Sequence, residues 1–532
     1  MKKLIFIVVF LQATAGVSAQ TWQDTAQKIE KLFESYKNIP GAQLAISRNG
    51  QVVFSKAWGM ADMEHDVPLT TSSLTEAGSI SKQFTAACIL LLEQQGKLSL
   101  EDDVRKYIPE LPDYGTAIRL RQMMQHTSGL RDWGAIAAMA GWPRSSKTYD
   151  NNDALLIISK QTALNNVPGA EFIYSNSNYN LFAVIIERVS GMSLADFSRK
   201  YIFEPAGMKQ TQWRDDYKRI VKNRAIAYDP IRNGYQTDMP NEYVYGNGGL
   251  LTTAEELLQW NNYYLNGKLG SPSLLDKQLH SYPFLNGKKN NYAAGLFIQT
   301  TNGWKDISHN GATAGYRSDL HYFPDLGLSI AWLSNNSKFT NVVNEVINLF
   351  VEKKPVVQPV PPVAFNISPQ ILNNYAGWYQ NERNGDALQL VVKDGFLTLQ
   401  NQKLTPTSNT QFIIGRNVLE FKKNGFQFVN SSNDTTFYHS MPNADTTKGS
   451  LQEFIGQYFS EETESKMNLI ERNGKLVLVV RPSVEETLAP TYKDGFNSPA
   501  GTVYFERDKQ NKITTMRISV GRARNVLFKK LS

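Results

Sequence analysis

The sequence predicts a mixed α/β fold of the α+β kind: an antiparallel sheet flanked by helices with a helical subdomain, followed by two small all-β modules. Three observations lead there. Up to residue 353, helical spacing of apolar residues alternates with hairpin signals. From Lys353 to Gln370 the chain carries Pro355, Pro359, Pro361, Pro362 and Pro369, a composition that favours an extended, stiff spacer. Beyond it the long helical patterns stop and the text repeats itself.

The first region opens on Ala26, Ile29, Leu32, Phe33 and Tyr36, spaced for one apolar helix face. Gln43–Ile46 and Val52–Trp58 flank Asn49-Gly50, a two-residue hairpin turn. Ser79 to Lys82 opens a helix with Phe84, Cys88, Leu91 and Leu92 on one side and Gly96 as its stop. Further helices are expected over Ala154–Leu164, Leu181–Val189 and Glu255–Tyr264, the last entered through a capping box from Thr253 to Glu256. Ser318–Phe323 and Leu328–Leu333 read as strands around the turn Pro324-Asp325-Leu326-Gly327, and Asn341–Val351 as a closing helix. Two terminal helices bracketing an antiparallel sheet give a helix-sheet-helix sandwich.

In the tail, Tyr375-Ala376-Gly377-Trp378-Tyr379 is echoed by Phe454-Ile455-Gly456-Gln457-Tyr458, and Lys393-Asp394-Gly395 by Arg472-Asn473-Gly474, each 79 residues later. Two pairs at one offset mark a duplicated unit. The expected organisation is residues 1–19 as a signal peptide, 20–353 as the main domain, 354–370 as linker, and 371–446 and 447–532 as β modules.

The remaining composition excludes several classes. At 532 residues with 41% hydrophobic and 20% charged, the chain is globular in character, neither disordered nor a multi-span membrane protein. Met1-Lys2-Lys3, the apolar run Leu4–Leu11 and Val17-Ser18-Ala19 form a secretory signal pattern, and eight apolar residues do not cross a bilayer. The expectation is export to the periplasm or outside of the cell, with no stable membrane span. Removing residues 1–19 takes away two lysines and no acid, lowering the formal charge from +7 to +5, too little for a nucleic-acid partner. One cysteine, Cys88, permits no internal disulfide, and six histidines without HExxH or HxH spacing supply no zinc motif. No metal and no cofactor are called for.

Three places carry chemistry. Ser79 and Lys82 are three residues apart on one helix face, where the amine reaches the hydroxyl and, when neutral, takes its proton; burial and the positive helix end favour that neutral form. Tyr174-Ser175-Asn176 sits in a turn before a helix, although Tyr-x-Asn triplets recur at Tyr36, Tyr149, Tyr245, Tyr264 and Tyr379. His309-Asn310-Gly311 is followed by Ala312 and a strand, where a glycine lets a substrate approach and a strand N–H faces a developing oxyanion. His126-Thr127-Ser128-Gly129 reads as a helix end with a structural histidine.

These pieces, with GSISKQFTA (78–86), MMQHTSGL (123–130), PGAEFIYSNSNY (168–179), GNGGLLTTAEEL (246–257) and SHNGATAGYRS (308–318), resemble the serine β-lactamase and penicillin-binding protein superfamily, closest to the class C β-lactamase type, over residues 24–353. The tail resembles β modules found after such hydrolase domains in bacteria. The resemblance implies a class C β-lactamase-like sandwich and a Ser79 nucleophile activated by Lys82. It further implies Tyr174 as proton relay, Asn176 orienting the substrate, and an oxyanion hole from the N–H groups of Ser79 and Ala312, with Gly311 making room.

His309-Asn310-Gly311 stands where such a β-lactamase shows Lys-Thr-Gly, so a permanent cation becomes an imidazole and a hydroxyl an amide. Both normally help bind a substrate carboxylate. The implied activity is therefore that of an esterase, D-amino-acid peptidase, DD-carboxypeptidase or weak β-lactamase acting on a small-molecule or peptide substrate, with peptidoglycan-derived peptides among the candidates. Arg317 beside Asp319 reads as a surface ion pair rather than a replacement cation. If His309 contacts substrate, activity on anions should change near its titration. The alternative is a non-catalytic or slowly acylating penicillin-binding or sensing protein whose β modules bind a partner that the sequence does not name.

Overall fold

The computed structural model describes residues 23–338, 342–355, 365–431 and 434–531. The signal segment and most of the proline-rich spacer lie outside these residues. The described residues divide into two compact units, one made of those within 1–98, 182–281 and 291–356, the other of those within 99–181, 282–290 and 357–532.

In the first unit, α1 (residues 23–33) leads into β1 (Ala42–Arg48) and β2 (Gln51–Trp58). Asn49 and Gly50 both take positive φ, 49° and 79°, the conformation a two-residue hairpin requires. Then follow α2 (Ser81–Gln94), α3 (Ala254–Tyr264), β3 (Phe297–Thr301), β4 (Trp304–Thr313), β5 (Tyr316–Phe323), β6 (Leu328–Ser334) and α4 (Val343–Phe350). The strands form one antiparallel sheet in the order β3-β4-β5-β6-β1-β2. Alternation sorts its faces. Ala42, Leu44 and Ile46 join Ile29, Phe33, Val343, Val346 and Ile347 in one cluster, so both terminal helices cover the same face. On the other face Gln43 accepts from the N–H of Ala254, and Ser329 from Asn261, both residues of α3.

Two local expectations change. Thr253 caps α3 by accepting from the N–H of Glu256, but the Glu256 carboxylate turns away to Gln210 and Thr211, so the box closes on one side only. The helix expected over Ala154–Leu164 runs Asn151–Ser159 instead. Gln161 ends its course by donating to the carbonyls of Ile157 and Glu462.

The second unit holds short helices and two nine-stranded antiparallel sheets, Gly377–Met441 and Gly456–Lys530. Their repetition is physical. Strand Gly377–Asn381 has its counterpart in Gly456–Ser460, and each sheet is preceded by a short helix, Pro369–Tyr375 and Lys448–Gln452. Tyr379 donates to the carbonyl of Tyr375 at 2.9 Å, and Tyr458 to that of Phe454 at 2.6 Å. Asp394-Gly395 and Asn473-Gly474 share the same positive-φ turn.

The second module shares its core with a helix of this unit: Ile136 and Met139 pack among Leu469, Leu478, Val480 and Phe505. A buried ion pair fixes the register. Arg131 Nη1 lies 2.6 Å from Glu462 Oε1, both side chains under a tenth exposed. Glu462 also accepts from the N–H and hydroxyl of Thr162 and from the N–H of Leu527. Stripping two charges of water costs several kcal/mol each, so this pair holds only because its lone pairs are so fully occupied. Glu462→Ala should therefore cost about 3–5 kcal/mol in urea unfolding, with Arg131→Met in the same chain recovering part of it; a single-variant loss below about 1 kcal/mol would contradict this account.

Candidate functional site

Ser79 lies in a single 3-10 turn, Gly78–Ile80, that feeds directly into α2. Gly78 takes φ +51°, which lets the chain reverse from the short strand Thr75–Glu76 into the helix. Lys82, fully buried, then projects back one turn, and its Nζ donates to Ser79 Oγ at 3.0 Å and to the Asn247 carbonyl at 2.6 Å. That carbonyl is itself held. Thr85 donates to the carbonyl of Gly246, Gly249 N–H to Glu76 Oε1, and Leu250 N–H to Ser81 Oγ. Glu76 in turn pairs with Arg214 at 2.8 Å, both buried. Ser81 and Thr85 are thus partnered and Gln83 Oε1 accepts from Trp260 Nε1, which makes these polar side chains tolerable in the interior, although Gln83 Nε2 is left without a hydrogen bond.

The strand β4 passes the same turn. β3 pairs with Trp304–Ser308 and stops, leaving the edge from His309 onward uncovered by that strand. A Cβ on Gly311 would fall 2.2 Å from the Ala77 carbonyl, 2.3 Å from Ser318 Oγ and 2.9 Å from the Ser79 nitrogen, so only glycine allows this approach. A Cβ on Gly78 would meet the Ala312 nitrogen at 2.7 Å. The backbone of Ala312, whose side chain is exposed, is therefore brought beside the serine turn.

His309 is buried, with Nε2 2.9 Å from the Tyr292 hydroxyl and Nδ1 2.6 Å from the Asn310 carbonyl. These partners assign the proton to Nδ1, leaving Nε2 to accept from the phenol. Burial, and then the charge that Lys82 carries when protonated, push its pKa down to about 3. The imidazole is neutral throughout the physiological range. The expected titration near neutrality is thus displaced, because the ring is sealed in the sheet. His321 on β5 is the opposite case: burial opposes its charge, but hydrogen bonds and charge from Asp306 and Asp319 win and push its pKa up to about 10. Asp319 is thereby occupied, and Arg317 does not pair with it. Its guanidinium donates to the carbonyls of Ala314 and Tyr316.

Tyr174 and Asn176 belong to the second unit. Tyr174 lies in the turn and Asn176 opens the helix Asn176–Ser190, and this junction is zipped to residues 124–133: Ser175 N–H donates to His126 Nδ1 at 3.2 Å, Asn176 N–H to Asp132 Oδ2 at 2.7 Å, Ser177 Oγ to the Arg131 carbonyl at 2.7 Å and Tyr179 to the Met124 carbonyl at 2.7 Å. His126, at φ +56°, packs its ring 4.1 Å from that of Tyr174. The His-Thr-Ser-Gly phrase is the clamp for the tyrosine turn. Glu76, Arg214 and Asn247 were not legible as site residues, since their partners are far off in sequence and meet only in the fold. Among the described residues, Asp62, Glu64 and His65 alone bring three ligand-type side chains within 4.8 Å of one another, on an exposed turn that Asp62 closes through its own hydrogen bonds. No helix among the described residues is long and apolar enough to cross a membrane.

The neutral His309 has a kinetic and a thermodynamic consequence. The kcat/KM profiles of wild type and His309→Gln should be parallel between pH 5 and 8; a wild-type step near pH 6.5 that vanishes in the variant would contradict the buried, neutral assignment. Since the folded imidazole resists protonation, its contribution to stability is complete above pH 6.5 and is lost as pH falls toward 3.

Comparison with known proteins places this geometry. The family model described as Beta-lactamase matches residues 29–348, more than half of the chain. Penicillin-binding protein 4* of Bacillus subtilis (strain 168) is 28% identical over 428 residues, covering 74% of this chain and 92% of that protein. A D-aminopeptidase of Brucella canis is 24% identical over 527 residues, covering 94% and 98%. Among solved structures, the octameric penicillin-binding protein homologue from Pyrococcus abyssi superposes with a TM-score of 0.54 at 21% identity, over 86% of this chain and 98% of that one, a likeness of fold. With a lysine amine on a serine hydroxyl at the head of a buried helix, and the family matched across the sheet that carries it, this chain belongs to the beta-lactamase family and is a serine hydrolase of that type.

Proposed function

We propose that the protein hydrolyses an amide or peptide bond, on the side of a D-amino acid, through an acyl-enzyme on Ser79. The observation that carries this reading is the buried Lys82 amine, placed 3.0 Å from Ser79 Oγ and anchored by the Asn247 carbonyl. The unprotonated amine takes the hydroxyl proton as Oγ attacks the carbonyl carbon. The oxyanion that forms is received by the N–H groups of Ser79 and Ala312, whose approach Gly311 permits. One such donor is worth about 3 kcal/mol of barrier, so the backbone of Ala312 matters more than its methyl group. Tyr174 passes a proton to the leaving amine, whose departure leaves the Ser79 ester and a phenolate; water gives a proton to that phenolate as it attacks the ester, and the Lys82 ammonium returns its proton to Ser79 Oγ as the acid departs. Asn176 orients the substrate amide.

The relative named D-aminopeptidase supports amide chemistry at D-centres. A neutral imidazole at position 309 supports a substrate other than the usual β-lactam, because that strand offers no cation at this residue. The N-terminal signal pattern supports work outside the cytoplasm, where short D-amino-acid peptides from the wall occur.

The test is steady-state hydrolysis of paired D- and L-aminoacyl p-nitroanilides by residues 20–532. The D-substrate should be preferred, and Ser79→Ala should lower its kcat/KM by at least about 1,000-fold. Equal turnover by Ser79→Ala, or preference for the L-substrate, would contradict the proposal.

A further inference from the structure

We propose that Arg522, carried by the second β module, is a specificity residue that receives a substrate carboxylate beside Tyr174. The proposal rests on the reading of Tyr174 as part of the reaction machinery. Arg522 sits on the turn between strands Ile513–Val520 and Ala523–Lys530, and its guanidinium carbon lies 4.8 Å from the centre of the Tyr174 ring.

The turn is built to stay there. The Arg522 carbonyl accepts from the N–H of Asp132 and from Asn165 Nδ2, both at 3.0 Å. Arg524 N–H donates to Asn165 Oδ1 at 2.8 Å, and its guanidinium pairs at 2.9 Å with Glu171, three residues before Tyr174. Asp132, which holds this carbonyl through its N–H, also accepts from Asn176 through its carboxylate, so one residue ties the hairpin to the tyrosine turn.

The charge of Arg522 is spent differently from that of its neighbours. Arg131 pairs with Glu462, Arg383 with Glu171 and Asp434, Arg517 with Glu506, and Arg524 with Glu171. Among the described residues no carboxylate lies within ion-pair distance of Arg522, and the side chain is exposed. A flat guanidinium resting on an aromatic face keeps its edge N–H groups in water, and that fork fits a carboxylate in two parallel hydrogen bonds. Had the module merely needed adhesion here, an arginine with a carboxylate partner would have served, as it does at Arg524. Position 309, where the family type places a lysine, is a buried neutral imidazole, so recognition of an anionic substrate needs a cation from elsewhere. Arg522 supplies it next to the phenol.

The experiment compares an N-acylated D-dipeptide having a free terminal carboxylate with the same peptide as its carboxamide, using residues 20–532. Wild type should favour the acid. Arg522→Gln should lower kcat/KM for the acid by about 10- to 100-fold while leaving the amide within about threefold, the range for losing a charge-assisted hydrogen bond. Arg522→Lys should recover part of the loss, and Arg522→Glu should favour the amide. Equal slowing of both peptides would mean that Arg522 only positions Tyr174, and no change in either would mean that it only holds the module; both outcomes overturn the proposal. Turnover of neither peptide in a Ser79-dependent manner would instead overturn the parent reading of function, and is told apart by the absence of any rate on which discrimination can act.

Discussion

A lysine amine buried against a serine hydroxyl is the constraint around which the first unit is arranged. Leaving such an amine without partners in the interior would cost several kcal/mol, and the carbonyl of Asn247 meets that cost. A loop carbonyl is a dependable partner only if the loop is fixed. Here the fixing passes from Gly249 N–H to Glu76, from Glu76 to Arg214, and from Gly246 to Thr85 on the same helix as the lysine. The buried Glu76–Arg214 pair is thus a positioning device more than a source of net stability. Across the turn, Gly311 lets β4 come within van der Waals reach of Ala77 and Ser79, so the strand N–H of Ala312 and the nucleophile are set by one packing arrangement.

The second unit applies the same economy to a tyrosine. Its turn and the head of the helix that follows are tied at Ser175, Asn176, Ser177 and Tyr179 to the segment around His126 and Asp132. Through Arg131, Asn165 and Asp132 that segment is also bonded to the second β module. The tail is accordingly integral to the packing of the tyrosine turn, sharing a core with Ile136 and Met139 rather than trailing from a tether. This gives a physical reason for the module's retention in the chain, and it frees one arginine on its tip for another task.

Much of this was legible in the sequence because it rests on local rules. The Asn49-Gly50 hairpin, the helix after Ser79 and the duplicated Asp394-Gly395 and Asn473-Gly474 turns each follow from backbone preferences that act over a few residues. The Ser79–Lys82 contact and the close approach at Gly311 were readable since they depend on spacing or on the absence of a side chain. The supporting groups were not. Glu76 and Arg214 are 138 residues apart, and Arg131 and Glu462 are 331 apart, and nothing in either neighbourhood marks one for the other. How far the His309 titration is displaced was equally hidden, because burial, rather than its own motif, sets it. The helix ending at Ser159 instead of Leu164 shows the same lesson, since Gln161 turns toward Glu462 in the tail.

The central claim, that Lys82 makes Ser79 a nucleophile, is tested most directly by intact-protein mass after brief exposure of residues 20–532 to a fluorophosphonate. Wild type should gain one adduct, mapped to Ser79; Ser79→Ala should gain none, and Lys82→Ala should react at least about 100-fold more slowly while unfolding at a similar urea concentration. A folded wild-type protein that stays unmodified, or an adduct on Ser79 that forms as fast without the lysine, would contradict it.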